Sequence, residues 1–160
     1  MLARYLALPV TERRALWSAT WRLILIRLSL LGSIQNTRAR FGGQADCVRS
    51  IADPEEWSRW QMRALALRRA GSRLPGVHCL ARSLALRWWM RSEGIDADCL
   101  IGVRQRAGNI ESHAWVEVHH QPVGDRAEDL REYQVLSWEA AEERDYGDSP
   151  AAGVRQNDHS

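Results

Sequence analysis

Apolar residues recur at helical spacing near the start of the chain and predict a helix over residues 10–31. One face of this helix collects apolar side chains at steps of four, three, four and three residues: Trp17, Trp21, Ile24, Leu28 and Leu31. We predict that this stripe packs into the protein core, as apolar helix faces usually do. The alternative is an exposed stripe that docks onto a partner protein or a membrane surface.

This first helix is too short and too interrupted in its apolar character to cross a membrane. Arg22 and Arg27 lie inside the apolar run at residues 21–31, whereas a spanning helix needs about 20 predominantly apolar residues. A signal peptide would place its charge before a clean apolar run and end at a small-residue cleavage site, and the sequence offers no convincing match. We expect a cytoplasmic protein whose first helix is soluble or at most bound to a surface.

A second helix begins at clear start signals. Asp53 can cap it, Pro54 suits its first position, and Glu56 can complete a capping box. The helix is expected to run to about residue 70 and to stop at Gly71. Its buried stripe is predicted to consist of Trp57, Trp60, Ala64 and Leu67.

A third helix and a set of strands follow a Leu-Pro-Gly break. The helix is expected to begin near His78 or Cys79 and to run to about residue 92. After Gly94 the apolar period changes from 3.6 residues to two, which predicts strands. We expect four of them, over residues 98–103, 113–118, 122–125 and 133–136, with a turn over 104–110. Helices followed by an antiparallel meander predict an α+β fold.

The length suits one domain, and a hydrophobic fraction of 45% is enough for one buried core. We divide the chain into an N-terminal helical segment that packs on the core (1–52), the core itself (53–143) and a tail (144–160). The tail carries Gly, Ser, Pro and charge with little apolar content, so we expect it to be disordered.

Charge and arginine usage narrow the possible functions. All 22 basic residues are arginine, which excludes lysine-based catalysis, a P-loop lysine and a Schiff base. Residues 1–80 carry a net charge of +8 and residues 81–160 a net charge of −6. The basic half suits an acidic peptide, a nucleic acid or a membrane surface, or is simply a solvated arginine-rich face. We expect a peptide partner, no nucleic acid and no membrane.

Cysteine usage indicates reduced thiols. Cys47, Cys79 and Cys99 are too few for a disulfide framework, and without a CxxC pair a structural zinc site is not expected. Reduced thiols fit the cytoplasm. We assign Cys47 and Cys99 to packing and expect neither a metal nor a cofactor.

The chemistry is expected at Cys79 and His113. Cys79 opens a helix, where first-turn N–H groups and the helix dipole favour a thiolate, although a cysteine on an apolar helix is more often a small core residue. His113 opens a strand, where a lone histidine is more often structural. Together they match the assembly of a papain-type dyad. Trp115, on the same strand face as His113, and His78, next to Cys79, are candidates for substrate contacts.

A third group should hold the His113 imidazole in the right tautomer, and Asp125 is the candidate. A three-residue connection at 118–120 would place Asp125 straight across from His113. A two-residue turn would direct it to the other face unless a bulge restores the register. Glu128 and Asp129 are the alternatives.

At these residues the sequence resembles a known family. The stretch CLARSLALRWWMRSEGIDADCLIG at 79–102, followed by SHAWVEV at 112–118, is similar to the lasso-peptide leader peptidases, members of the transglutaminase-like superfamily. The resemblance implies a papain-like fold with a nucleophilic cysteine on a helix that packs against a small antiparallel sheet. It implies peptide-bond hydrolysis by a Cys-His-Asp triad, with Cys79 as nucleophile, His113 as base and Asp125 as orienting acid.

The resemblance also implies partners. Some family members carry an extra winged-helix domain that recognises the leader, and nothing before residue 50 has the strands for one. We therefore expect the split form, in which a separate small protein holds the leader of the precursor peptide and a separate lasso cyclase uses the freed core. Three rival functions remain open: acyl transfer to an amine, non-catalytic peptide binding by the same fold, and general peptidase activity.

Overall fold

Helices come first along the chain and strands follow, as the change in apolar period predicts, so the α+β fold is confirmed. The computed structural model describes residues 9–31 and 49–136. The helices and strands of this part of the chain are α1 (Val10–Leu30), α2 (Pro54–Gly71), α3 (Cys79–Ser92), β1 (Asp98–Arg106), β2 (Asn109–Val118), β3 (Gln121–Val123), α4 (Ala127–Leu130) and β4 (Gln134–Leu136). Cys47 and the tail at 144–160 lie outside the described residues.

The strands form a four-stranded antiparallel sheet in the order β3-β2-β1-β4. The first hairpin closes with Ala107 and Gly108 alone, both at positive φ (+49° and +80°), which is the backbone that a two-residue turn requires. The prediction of a long turn over 104–110 was therefore wrong. It failed because β1 and β2 continue beyond their apolar residues into polar ones, where Arg104 pairs across the strands with Glu111 at 2.7 Å.

The second hairpin is equally tight. His119 and His120 form its two-residue turn at φ +48° and +63°. The turn pairs Val116 with Val123, and β3 ends at Val123, two residues earlier than predicted. β4 was predicted almost correctly. α4 was not predicted, because four residues are too few to show a helical period.

α2 begins as expected, with one change in its cap. The Asp53 carboxylate accepts a hydrogen bond from the Glu56 N–H at 2.7 Å, but the Glu56 carboxylate accepts from the Ala52 N–H rather than from that of Asp53. Glu56 also pairs with Arg49 at 2.7 Å, and this hydrogen bond holds the pKa of the Glu56 carboxyl below its usual value. Of the predicted stripe, Trp60, Ala64 and Leu67 are buried, and Trp57 packs against the core.

α1 turns a different face inward from the one predicted. The side chains buried on it are Ala19, Leu23 and Ile26, each 0% exposed. Most of the predicted core stripe faces outward: the exposed fraction is 72% for Trp17 and 56% for Trp21. The prediction that this stripe fills the core was therefore wrong.

Arg22 lies on the side of α1 that packs against α3. Its guanidinium lies over the rings of Trp88 and Trp89, at 5.0 and 4.6 Å from their centroids, and its Nη1 donates to the Ser18 hydroxyl. An arginine that stacks on indole rings can occupy a buried face, so it does not mark the solvent side of a helix.

No helix among the described residues is long and apolar enough to span a membrane.

α3 packs against the sheet, and its observed bounds confirm the predicted ones. Its Ser83 hydroxyl donates to the Ala114 carbonyl of β2 at 2.8 Å, which fixes the helix against that strand. Ala85 and Met90 are fully buried on α3, and Val116 of β2 belongs to the same buried cluster. This packing brings the N-terminus of α3 to the strand that carries His113.

Candidate active site

Cys79 is the first residue of α3, and three donors surround its half-buried sulfur. Its side chain is hydrogen-bonded to His113, and the backbone N–H groups of Ala114 and Leu80 also point at it. The His113 hydrogen bond is the largest influence and lowers the pKa of the Cys79 thiol, while partial burial opposes this shift to a smaller extent. The site therefore favours a thiolate, the form of cysteine that acts as a nucleophile.

His113 lies on β2 between the sulfur and a carboxylate. Its Nε2 is 3.4 Å from the Oδ1 of Asp125, which leaves Nδ1 to face Cys79. The hydrogen bond to Asp125, followed by the one to Cys79, raises the pKa of His113 to about 9. The two shifts run in complementary directions, and each favours the charged form of its group, a thiolate on Cys79 and an imidazolium on His113.

Asp125 reaches His113 although the hairpin has the two-residue turn that was expected to direct it away. Gly124 follows the last residue of β3 at φ +88° and takes the chain out of the strand. No bulge within the strand is involved: the change of direction comes one residue after pairing ends. Sequence reasoning missed Gly124, although a glycine directly before a candidate catalytic acid is a signal for an unusual backbone conformation.

The alternative acids are placed elsewhere. Glu128 and Asp129 are exposed on α4, and the carboxylate paired with His113 is that of Asp125. His78 is exposed at the N-cap of α3, directly before Cys79 in the chain. Among the described residues no group of three His, Cys, Asp or Glu side chains is arranged to hold a metal ion.

Trp115 lies beneath His113 and is covered. Only 2% of it is exposed, its ring stacks on that of His113 at 6.1 Å, and its Nε1 donates to Glu117 at 2.8 Å. This burial does not favour the substrate contact expected from the sequence and instead gives Trp115 a supporting position under the imidazole. Tyr133, with its ring 5.7 Å from that of His113, completes this support and was not anticipated.

Gly102 on β1 is the sequence signal that could have revealed this support. A Cβ at that position would lie 2.8 Å from the Trp115 ring and 2.9 Å from Tyr133. A glycine in the middle of a strand often marks a close approach by another group.

A small cleft that is open to solvent lies beside the sulfur. Cys79, His113 and Asp125 all line it, and Arg68 and Arg82 add positive charge to its wall. The cleft therefore brings a cysteine, a histidine and a carboxylate together at the N-terminus of α3.

The family assignment follows from a match that spans both the helices and the sheet. The model of the transglutaminase-like superfamily matches residues 15–138, which covers most of the chain. The chain belongs to the transglutaminase-like superfamily. This superfamily includes cysteine proteases and acyltransferases, and it is commonly enzymatic. No curated protein and no solved structure gives a significant match to the chain. For a transglutaminase-like chain, a cysteine at a helix start facing a strand histidine is the arrangement that these chemistries need.

Proposed function

We propose that this transglutaminase-like protein is a cysteine peptidase that cuts the leader from a lasso-peptide precursor. The observation that carries the peptidase proposal is the Cys79–His113–Asp125 constellation, with a lowered thiol pKa and a raised imidazole pKa. The lasso-peptide substrate is supported by the resemblance of residues 79–102 and 112–118 to leader peptidases.

Acylation begins when the Cys79 thiolate attacks the carbonyl of the last leader residue. The oxyanion that forms is stabilised by backbone N–H groups at the start of α3, including that of Cys79. Protonated His113 donates its proton to the amine of the core peptide as the C–N bond breaks. A thioester on Cys79 and a core peptide with a free N-terminus result.

Deacylation uses the same two groups in reverse. Neutral His113 takes a proton from water, the resulting hydroxide attacks the thioester, and the C–S bond breaks to release the leader acid. Asp125 keeps Nε2 of the imidazole occupied throughout, so that Nδ1 remains directed at the reacting atoms.

The partners belong to the same proposal. A separate protein binds the leader and presents the precursor, and a separate cyclase uses the freed N-terminus of the core. We place the reaction in the cytoplasm, where a catalytic thiol stays reduced.

The proposal is tested by incubating the protein with precursor and leader-binding protein in ¹⁸O-labelled water, followed by mass spectrometry. We expect a free core and a leader acid that carries one ¹⁸O in its new carboxylate. Altering the last residues of the leader should abolish the cut. A protein that cuts unrelated peptides equally well would contradict the assignment as a leader peptidase.

Acyl transfer is the second candidate function, because the transglutaminase-like match covers acyltransferases as well as hydrolases. The same thioester would then pass to an amine instead of water. Adding a primary amine to the labelled reaction separates the two functions. An amide of the leader as the main product would favour the transferase.

A further inference from the structure

The direction of Asp125 is not set by its own strand. β3 pairs with β2 so that Val123 lies opposite Val116, and continuing this register would place Asp125 opposite Ala114. Directly opposed residues of an antiparallel pair share a face of the sheet. Neighbouring residues of a strand point to opposite faces, so Ala114 and His113 lie on different sides of β2, and a regular strand would direct the Asp125 carboxylate away from the imidazole.

Two side chains of α2 are hydrogen-bonded to the turn that directs Asp125 towards His113. The Gly124 N–H donates to Gln61 Oε1 at 2.9 Å, and Arg68 Nη2 donates to the Gly124 carbonyl at 2.7 Å. The same Nη2 donates to Asp125 Oδ1 at 3.3 Å. Gln61 and Arg68 are two helical turns apart, so they project from one face of α2 and bind the backbone N–H and the carbonyl of one residue, Gly124.

Ala64 lies between Gln61 and Arg68 on α2 and fills the space next to Gly124. A Cβ on Gly124 would lie 2.6 Å from the Cβ of Ala64, which is closer than real side chains approach. The turn therefore rests directly on α2, and its φ of +88° also favours glycine. We call Gln61, Ala64 and Arg68 the α2 cradle.

We propose that the α2 cradle is a positioning device for catalysis: it fixes the Gly124 turn so that Asp125 faces His113. For its catalytic consequence this inference rests on the proposed function. The positioning itself is a property of the resting protein. None of the three cradle residues is hydrogen-bonded to the sulfur of Cys79 or to the imidazole of His113. They therefore act on His113 through Asp125.

The role of Arg68 is one of geometry more than of charge. Its side chain is 55% exposed, so solvent screens its electrostatic effect on the imidazole. Its hydrogen bond to the Gly124 carbonyl is 2.7 Å long, which is shorter than its 3.3 Å contact with Asp125. β3 is a three-residue edge strand, and the hydrogen bonds from α2 give its end a fixed position that the sheet alone does not supply.

The test measures the pKa of the His113 imidazole by NMR titration, which needs no substrate. The groups that face His113 are Cys79 on α3, Asp125, and the rings of Trp115 and Tyr133. If the cradle positions Asp125, Gly124→Ala should lower the His113 pKa from about 9 towards its ordinary value. We expect a fall of at least about one unit, with kcat down about tenfold or more and KM little changed.

Two milder variants keep the test decisive if Gly124→Ala does not fold. Gln61→Leu and Arg68→Met each remove one grip while keeping the side-chain size, and each should lower the His113 pKa in the same direction. Arg59→Gln, at an exposed position earlier on α2, is the matched control and should change neither the titration nor kcat.

A second-site change tests the steric part of the cradle. Adding Ala64→Gly to Gly124→Ala removes the atom that the new Cβ meets, and should recover part of the lost pKa shift and kcat, while the strain of alanine at φ +88° remains. The inference is overturned if His113 keeps a pKa near 9 in folded Gln61→Leu and Arg68→Met proteins. If these variants shift the titration while the wild-type protein cuts no precursor, the proposed function fails and the positioning stands.

Discussion

At Cys79, hydrogen bonding outweighs the loss of solvation. Burial alone would raise the thiol pKa, but the imidazole of His113 and two backbone N–H groups stabilise the sulfur anion, and the net shift is downward. His113 shows the complementary balance, because Asp125 and the sulfur outweigh its own partial burial. Both residues could be singled out from the sequence, because a cysteine at a predicted helix start and a histidine on a predicted strand together match a papain-type dyad. The position of His113 differs from the prediction, since it lies in the middle of β2 and not at its start.

The first residue-scale prediction concerns the reactivity of the thiol. A lowered thiol pKa keeps Cys79 ionised below the ordinary midpoint of about 8.5, so alkylation by iodoacetamide should remain fast at neutral pH. His113→Ala removes the main stabilising partner and should move the midpoint of the alkylation rate upward. Intact-mass spectrometry across a pH series measures both proteins. Identical pH profiles would contradict the assigned pairing.

The second residue-scale prediction concerns Asp125. Because the pKa of His113 is raised to about 9, the active imidazolium persists below that pH and is lost as the pH rises through it. Asp125→Asn removes the main cause of the shift, so the alkaline limb of the kcat/KM profile should move down towards about 6.5. We also expect kcat to fall by roughly 10²-fold.

The control for Asp125→Asn is Glu128→Gln, which changes an exposed carboxylate on α4. It should leave the alkaline limb in place. A shift of that limb with Glu128→Gln but not with Asp125→Asn would mean that the orienting acid is misassigned.

At the scale of elements, hydrophobic period predicted the existence and type of the helices, but not which face of α1 turns inward. Pattern reading treats arginine as a marker of solvent, and Arg22 breaks that assumption because its guanidinium stacks on two indoles. The sheet shows the opposite error. Arg104 and Glu111 extend β1 and β2 beyond the apolar alternation by pairing with each other, and a polar strand end resembles a loop in sequence.

The two faces of α1 give an element-scale prediction. Leu23 is 0% exposed and Trp17 is 72% exposed, although the sequence pattern favoured Trp17 as the core residue. Leu23→Ala should lower the free energy of unfolding by about 2–5 kcal/mol, because it leaves a cavity. Trp17→Ala should change it by less than about 0.5 kcal/mol. Urea denaturation followed by circular dichroism compares them, and a larger loss for Trp17→Ala would show that the rotation of α1 is wrong.

At the scale of the whole molecule, separate elements each bring one member of the site. α3 supplies Cys79, β2 supplies His113, and the turn after β3, gripped by α2, supplies Asp125. The fold class was predictable from the change in apolar period. The pair on α3 and β2 was predictable from its combination and from the family resemblance, since neither residue alone is a strong signal. The placement of Asp125 was not predictable, because it depends on one positive φ at Gly124 and on contacts from a helix about 60 residues away.

The proposed function requires that the Cys79 thiolate acts as the nucleophile that cleaves the precursor peptide. The most direct measurement is precursor cleavage by Cys79→Ala in the reconstituted system with the leader-binding protein, followed by mass spectrometry. Cys99→Ala is the matched control, since Cys99 packs against the core from β1. We predict that cleavage is lost with Cys79→Ala and retained with Cys99→Ala. Undiminished release of the core peptide by Cys79→Ala would contradict the account.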